Sequence, residues 1–244
     1  MNKGNTGSNY DAIEELNYNR ANSLFYNKWL FSFCKDYLGE RTIEVGSGVG
    51  TFTEMASKIS KHVLAVEVAG NCAAELKKRF LNDSRVKILH RSIIDVNSKK
   101  YKGYDSAISF NVFEHIKNDM SALINVRKIL KIGGKFSLFV PCGRKIFGPQ
   151  DLKIGHFRRY EKKELTDKLK KAGFKILEAR YVNSAGYLAW WFLKKTRSTI
   201  TNGNVLLFDR IIASWLRFAE KVINPPFGLS LFILAEKVNK KRQQ

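Results

Sequence analysis

Short apolar runs rich in β-branched residues alternate along the chain with longer stretches whose apolar residues recur at helical spacing. Runs of the first kind predict strands, and stretches of the second kind predict amphipathic helices. The predicted strands cover residues 41–46, 62–68, 86–90, 104–110, 134–140, 174–182 and 229–238, and the predicted helices cover residues 18–38, 51–59, 72–80, 119–130 and 161–172. This alternation predicts an α/β fold with a Rossmann-like, doubly wound sheet, mostly parallel with an antiparallel last strand.

The 244 residues predict a single domain with flexible tails at residues 1–9 and 239–244. About forty residues separate the last two predicted strands, which is too long for a loop without structure of its own. We interpret this insert, residues 184–224, as helical. Its paired Trp190 and Trp191 lie beside several basic residues, a composition compatible with an anionic membrane surface. A buried second core, a roof over a binding pocket and a contact with another subunit are the alternatives.

The chain is strongly basic, with 43 Lys and Arg residues against 22 Asp and Glu residues and a formal net charge of +21. Such a charge favours RNA, acidic lipid or phosphorylated partners without choosing among them. The three cysteines are odd in number and include no C-x-x-C pair, so neither a disulfide framework nor a zinc site is expected. The polar N-terminal tail is unlike a secretory signal, and we expect a cytoplasmic protein, with attachment to a membrane surface as an alternative.

The sharpest motif lies between the first predicted strand and the helix that follows it, and it reads Glu44-Val-Gly46-Ser47-Gly48-Val-Gly50. Glycines at such a turn allow a tight bend and a close approach of the backbone to a ligand. A dinucleotide-binding loop requires G-x-G-x-x-G, and Thr51 occupies the last position of that pattern. The acid before the first glycine suits a ligand that carries an amino group and a sulfonium better than one that carries a pyrophosphate.

With this spacing the chain resembles the class I S-adenosylmethionine-dependent methyltransferases, in particular those similar to ubiquinone and menaquinone biosynthesis enzymes. The resemblance implies S-adenosylmethionine as the cofactor. It implies that the glycine loop contacts the methionine part, that Glu67 with Val68 holds the ribose, and that Asn111 and Val112 lie beneath the transferable methyl group. The family's acid for adenine is replaced here by Ser92; Ser92, the backbone of Ile93 and Asp95 remain alternatives for that contact.

Ligands of open α/β sheets bind beyond the carboxyl ends of the strands, so residues after the fourth and fifth strands are candidates for the methyl acceptor site. His115 and His156 are candidate general bases, with Glu114 as a third catalytic candidate, because a near-neutral pKa suits removal of a hydroxyl proton. Helix capping is the structural alternative for each histidine. The candidates for gripping an anionic acceptor are Arg158, Arg159 and Tyr160, with plain surface charge as the alternative for both arginines.

A metal ion is not expected. Related enzymes that bind magnesium carry E-x-x-E-H after the fourth strand, and Asn111 replaces the first acid here. The tetrapeptide Asn224-Pro225-Pro226-Phe227 is the sequence with which adenine-N6 methyltransferases hold a flipped base, but it stands before the last strand, where we interpret it as a rigid turn.

The sequence therefore predicts a methyltransferase, with O-methylation of a small-molecule or lipid-linked acceptor as the leading hypothesis. An RNA methyltransferase and a non-catalytic binding protein that retains the fold are the rivals. The oligomeric state cannot be read from the sequence.

Overall fold

A computed structural model describes residues 23–187, 220 and 224–239 of the chain. The helices are α1 (Leu24–Ser32), α2 (Thr51–Ser57), α3 (Gly70–Arg79), α4 (Asp119–Ile129), α5 (Pro149–Lys153) and α6 (Lys162–Lys171). The strands are β1 (Arg41–Val45), β2 (His62–Glu67), β3 (Val86–His90), β4 (Tyr104–Phe110), β5 (Leu130–Pro141), β6 (Phe174–Val182) and β7 (Ser230–Lys237). The tryptophan-containing part of the predicted helical insert, and both predicted tails apart from residue 239, lie outside these residues.

The seven strands form one sheet in the order β3-β2-β1-β4-β5-β7-β6. Strands β1 to β5 pair in parallel, while β7 lies antiparallel between β5 and β6. This arrangement confirms the predicted doubly wound α/β class and the antiparallel last strand. The strand order reverses between β1 and β4, and the carboxyl ends of these two strands therefore border the crevice in which α/β sheets bind ligands.

Two hydrophobic clusters cover the two faces of the sheet, as expected when parallel strands are buried on both sides. One cluster includes Leu123 of α4 and Leu165 of α6, and the other includes Trp29 of α1, Ala56 of α2 and Leu76 of α3. Burial of these apolar faces, at roughly 25 cal/mol per Å², holds the helices against the sheet. Loops at the carboxyl edge are thereby mounted on a rigid framework.

Three elements differ in kind or by several residues from the sequence prediction, and one of them is β5, which begins at Leu130 rather than at residue 134. The predicted helix over residues 18–38 is, within the described residues, α1 followed by a 3₁₀ turn at Lys35–Tyr37, because the backbone at Phe33 and Cys34 no longer continues the α-helical hydrogen bonds. The five-residue helix α5 was not predicted, since so short a segment has no apolar periodicity. Among the described residues, no helix is both long enough and apolar enough to cross a membrane.

Candidate active site

The glycine loop joins β1 to α2 with all three of its glycines in the left-handed region, at φ values of 73° for Gly46, 53° for Gly48 and 87° for Gly50. A Cβ atom on Gly46 would lie 2.3 Å from a methyl carbon of Val112, and one on Gly50 would lie 2.7 Å from the ring of Phe80. Packing against neighbouring elements therefore already requires glycine at positions 46 and 50, in addition to any approach of a ligand.

Glu67, at the carboxyl end of β2, ties the loop to that strand. Its Oε2 accepts a hydrogen bond from the backbone N–H of Gly48, and its Oε1 accepts from those of Val68 and Ala69, each at 2.8 Å. A carboxylate offers about four acceptor positions, so one position, on Oε2, remains for a ribose hydroxyl. These backbone bonds orient the carboxylate beside the loop, which fits its predicted role in holding the cofactor.

Glu44 is buried beneath the loop, where the hydroxyl of Thr53 donates a hydrogen bond to its Oε2. Burial raises the pKa of Glu44 to about 8, and the negative charge of Glu67 acts in the same direction, while the hydrogen bond from Thr53 opposes the rise. Ser47 is buried as well. The carboxylate of Glu67 beside the loop suits a cationic ligand, and S-adenosylmethionine carries a sulfonium and an amino group. The donor set thus fits that cofactor.

The loop after β3, where adenine contacts were predicted, is fixed by Asn125 of α4. Its side-chain amide donates to the carbonyl of Ile93 at 2.7 Å and to that of Val96 at 2.9 Å. Ser92 accepts a bond from the N–H of Ile94. Ile93 is buried, whereas Asp95 is exposed. The residue that contacts adenine stays a prediction, with the Ile93 carbonyl already engaged.

Asn111 directly follows β4 in the left-handed conformation at φ 52°, and its N–H donates to the carbonyl of Phe139 at 3.0 Å. Val112 packs against the space left by Gly46. The residues that follow β1 and β4 are therefore in contact with each other. The cofactor contacts predicted for Asn111 and Val112 stay predictions.

Three side chains meet on the acceptor side of this edge, and they are the predicted catalytic residues Glu114, His115 and His156. Each offers an atom within 4.8 Å of the others. Nε2 of His156 lies 3.8 Å from a carboxyl oxygen of Glu114, and the two imidazole rings meet edge to face with centroids 4.6 Å apart. The backbone N–H of Phe157 donates to the carbonyl of Glu114 at 2.8 Å, which joins the segments that follow β4 and β5.

Burial controls the protonation of this cluster. Glu114 is fully buried, and neither carboxyl oxygen has a hydrogen-bond partner among the described residues. Desolvation raises its pKa to about 8. Desolvation lowers the pKa of His115 and of His156 below the usual value. The neighbouring His156 lowers the pKa of His115 further, whereas for His156 the hydrogen bond and charge of Asp151 oppose the fall and Arg159 adds to it. Both imidazoles are thus neutral at pH 7 and able to accept a proton.

Asp151, in the first turn of α5, supports the cluster and was not assigned a role from the sequence. Its Oδ1 lies 2.9 Å from Nδ1 of His156 and accepts a hydrogen bond from Nε of Arg159 at 2.8 Å. Its Oδ2 accepts from the N–H of Gly148. The sequence signal for this position was an acid two residues after Pro149, a pattern typical of the first turn of a helix.

The predicted anion-binding residues are already engaged with protein groups. Arg158 pairs with Asp119 at 2.8 Å and donates to the carbonyl of Lys117, while Arg159 pairs with Asp151. Tyr160 is fully buried and donates to Asp119. These contacts give all three residues a structural role, and their contact with an acceptor stays a prediction.

Of the described residues, Glu114, His115 and His156 form the group that could hold a metal ion. The set offers two nitrogen ligands and one oxygen ligand, whereas magnesium prefers oxygen ligands in an octahedral arrangement. This donor set does not fit magnesium, and the expectation that no metal ion is bound stays a prediction.

Comparison with known proteins gives a consistent result. Residues 43–136 match a family described as "Methyltransferase domain". A "Probable S-adenosylmethionine-dependent methyltransferase" of Mycolicibacterium smegmatis is 25% identical over 141 residues, which are 57% of this chain and 53% of that protein. The ribosomal RNA small subunit methyltransferase A of Wigglesworthia glossinidia brevipalpis is 28% identical over 92 residues, 38% of this chain and 35% of the relative.

A third relative, the ubiquinone biosynthesis O-methyltransferase of Xanthomonas oryzae pv. oryzae, is 25% identical over 105 residues, 42% of this chain and 44% of that protein. The chain thus spans about half the length, or less, of the curated relatives it matches.

Solved structures share the fold. Geranyl diphosphate methyltransferase in complex with its cofactor superposes with a TM-score of 0.62 at 15% identity, covering 97% of this chain and 93% of that one. A methyltransferase from Mesorhizobium loti gives a TM-score of 0.59 at 15% identity, covering 85% and 95%. Together with the glycine loop, the tethering Glu67 and the strand order, these matches support a class I S-adenosylmethionine-dependent methyltransferase, with residues 43–136 as the part that matches the methyltransferase domain.

Proposed function

We propose that the protein transfers a methyl group from S-adenosylmethionine to a hydroxyl oxygen of a small-molecule or lipid-linked acceptor. The observation that carries this proposal is the position of Glu114, His115 and His156. The buried carboxyl group of Glu114 and the imidazole of His115 follow Asn111 and Val112 in the chain, and the imidazole of His156, from the segment after β5, lies close to both. A hydroxyl must lose its proton as it attacks, and a positioned imidazole is the usual group that takes it.

In this proposal one side of the sheet edge binds the cofactor, and the other side binds the acceptor and takes its proton. Glu67 and the glycine loop hold and orient the cofactor, which supplies a methyl group on a sulfonium. His156 takes the hydroxyl proton through Nε2 while the oxygen–carbon bond forms and the carbon–sulfur bond breaks, so that a neutral thioether leaves. The buried surroundings of Glu114 exclude water. Most of the acceleration then comes from orientation, with a proton acceptor adding roughly 10²- to 10⁴-fold.

The choice of acceptor class is supported more loosely. One relative is by its name an O-methyltransferase of ubiquinone biosynthesis, and the net charge of +21 favours an anionic acceptor or surface. The charge equally favours RNA, and another relative is by its name a ribosomal RNA methyltransferase. The cluster of imidazoles beside a carboxyl group favours oxygen as the attacking atom, because a neutral hydroxyl needs a base that takes its proton during the attack.

A lipid-linked acceptor would bring the protein to a membrane surface from the cytoplasm. Trp190 and Trp191, which lie outside the described residues, would then rest on anionic lipid. Sedimentation with vesicles should show binding that rises with anionic lipid and falls with salt, and alanine at both positions should abolish it.

The decisive experiment uses the full chain, a donor with an isotopically labelled methyl group, and extracts separated into metabolite, lipid and RNA fractions. Mass spectrometry should find the label on an oxygen of a metabolite or lipid. Label in RNA would overturn the acceptor class, and label in no fraction, with the cofactor bound, would favour the non-catalytic alternative.

A further inference from the structure

The side chain of Asp151 is fully buried, and it makes three hydrogen bonds. They come from the N–H of Gly148, the guanidinium of Arg159 and the imidazole of His156. A carboxylate that pairs with a guanidinium has acceptor capacity only. The hydrogen in the 2.9 Å contact to His156 must therefore lie on Nδ1 of the ring.

The neutral ring carries one hydrogen, so placing it on Nδ1 leaves a lone pair on Nε2. Nε2 is the atom that lies 3.8 Å from Glu114. The backbone holds the ring in the same place, because the N–H of His156 donates to the carbonyl of Asp151 at 2.8 Å. Asp151 thus fixes both the orientation of the ring and the nitrogen that remains basic.

His115 reaches the same state by a different route. Its Nδ1 lies 3.2 Å from the carbonyl oxygen of Gly155, which can only accept a hydrogen bond. That ring also carries its hydrogen on Nδ1 and leaves Nε2 bare. The carbonyl is uncharged and His115 is partly exposed, whereas Asp151 and His156 are both shielded from solvent. The carboxylate therefore makes His156 the stronger base of the pair.

We propose that Asp151 is a positioning residue which holds the proton of His156 on Nδ1, so that Nε2 is the base that receives the acceptor's proton. The role of Nε2 rests on the proposed methyl transfer. Arg159 completes the arrangement, since its guanidinium compensates the buried charge of Asp151 at 2.8 Å. Nε2 faces a carboxyl oxygen of Glu114, and neither oxygen of that group has a hydrogen-bond partner among the described residues.

The test reads the imidazole directly and needs no acceptor. Full-length protein labelled with ¹⁵N at histidine is studied by long-range ¹H–¹⁵N correlation at pH 8, with His156→Gln identifying the signals. Wild-type His156 should show a protonated Nδ1 and a bare Nε2. Asp151→Ala should move the ring toward the Nε2–H form, because no carboxylate is left to accept from Nδ1. Asp83→Ala, which breaks the exposed pair with Arg85, should change nothing.

Once an acceptor is known, Asp151→Ala should lower kcat by about tenfold or more with an unchanged KM for S-adenosylmethionine. The proposal is overturned if wild-type His156 carries its hydrogen on Nε2, or if Asp151→Ala folds and keeps the Nδ1–H form. The wild-type spectrum alone tests the position of the hydrogen, even if the alanine variant does not fold. Failure of the labelling experiment would reject the methyl transfer and leave the spectrum unaffected, so the two failures are distinguishable.

Discussion

The cofactor side and the acceptor side of the sheet edge are built in different ways. The cofactor side consists of one short stretch, β1 to β2, in which backbone N–H groups and left-handed glycines determine the geometry. The acceptor side joins Glu114 and His115 to Asp151 and His156, which lie about forty residues further along the chain, through side-chain contacts. The first arrangement depends on local backbone conformation, and the second depends on contacts between loops that a rigid framework holds together.

The largest effect is expected on the acceptor side. His156→Gln removes the proposed base and should lower kcat for the hydroxyl acceptor by about 100-fold or more, with cofactor binding unchanged. Steady-state kinetics alongside a binding assay separates the two sides. The exposed His62, substituted in the same way, is the control. Equal loss of cofactor binding in His156→Gln would mean that the two sides are not independent.

A substitution on the cofactor side, Glu67→Ala, should affect binding of the cofactor. Glu67→Ala removes a carboxylate that holds three backbone N–H groups and should weaken S-adenosylmethionine binding by about tenfold or more, because charge-assisted hydrogen bonds are lost. Glu40→Ala at the amino end of β1, where the acid pairs with Lys61 on the surface, should bind normally. Calorimetry measures both, and equal affinities would remove Glu67 from the site.

The buried carboxyl group of Glu44, beneath the glycine loop, should make the stability of the protein depend on pH. Glu44 has a pKa of about 8 in the folded protein against an ordinary 4.5, so the folded state retains a proton that the unfolded chain has lost. The free energy of unfolding should therefore fall as pH rises from about 4.5 to 8, by at most about 1.4 kcal/mol per pH unit from this group.

Glu44→Gln keeps an acceptor for Thr53 but cannot ionise, and it should flatten this fall. Denaturant unfolding at several pH values measures the slope, with the exposed Glu40→Gln as the control. A slope that is unchanged by Glu44→Gln would contradict the assignment of a neutral Glu44.

The smallest effect is expected from metal ions. Since Glu114, His115 and His156 offer a single oxygen ligand, addition of magnesium or of a chelator should change the rate of methyl transfer by less than about twofold. Loss of activity on chelation, restored by magnesium, would show that the cluster holds an ion.

The sequence predicted the strands and helices on the cofactor side for a physical reason. The strand, turn and helix around the glycine loop are contiguous in the chain, so local spacing determines their geometry. Elsewhere in the sheet, the bounds of β3, β4 and β6 were predicted without error. That Glu67 holds the ribose rests on the same local order and stays a prediction. The individual cofactor contacts stay predictions.

The acceptor side was less predictable because its contacts join distant segments. Arg158 and Arg159 were predicted to grip an anion from their charge alone, and their pairing with Asp119 and Asp151 depends on how α4 and α5 pack. Asp151 had no recognisable motif of its own. Long-range pairs of this kind leave no periodic signal in one sequence.

The central claim is that the glycine loop binds S-adenosylmethionine, and a calorimetric titration of the full chain with that cofactor tests it most directly. Wild-type protein should bind at one site per chain. Gly48→Leu should weaken binding by about tenfold or more, whereas Gly133→Leu should bind as the wild type does. Gly133 is also left-handed, at φ 77°, but has open space around it, so the pair separates backbone strain from blockage of the site. Absence of binding to the wild type, or equal affinity in both variants, would contradict the account.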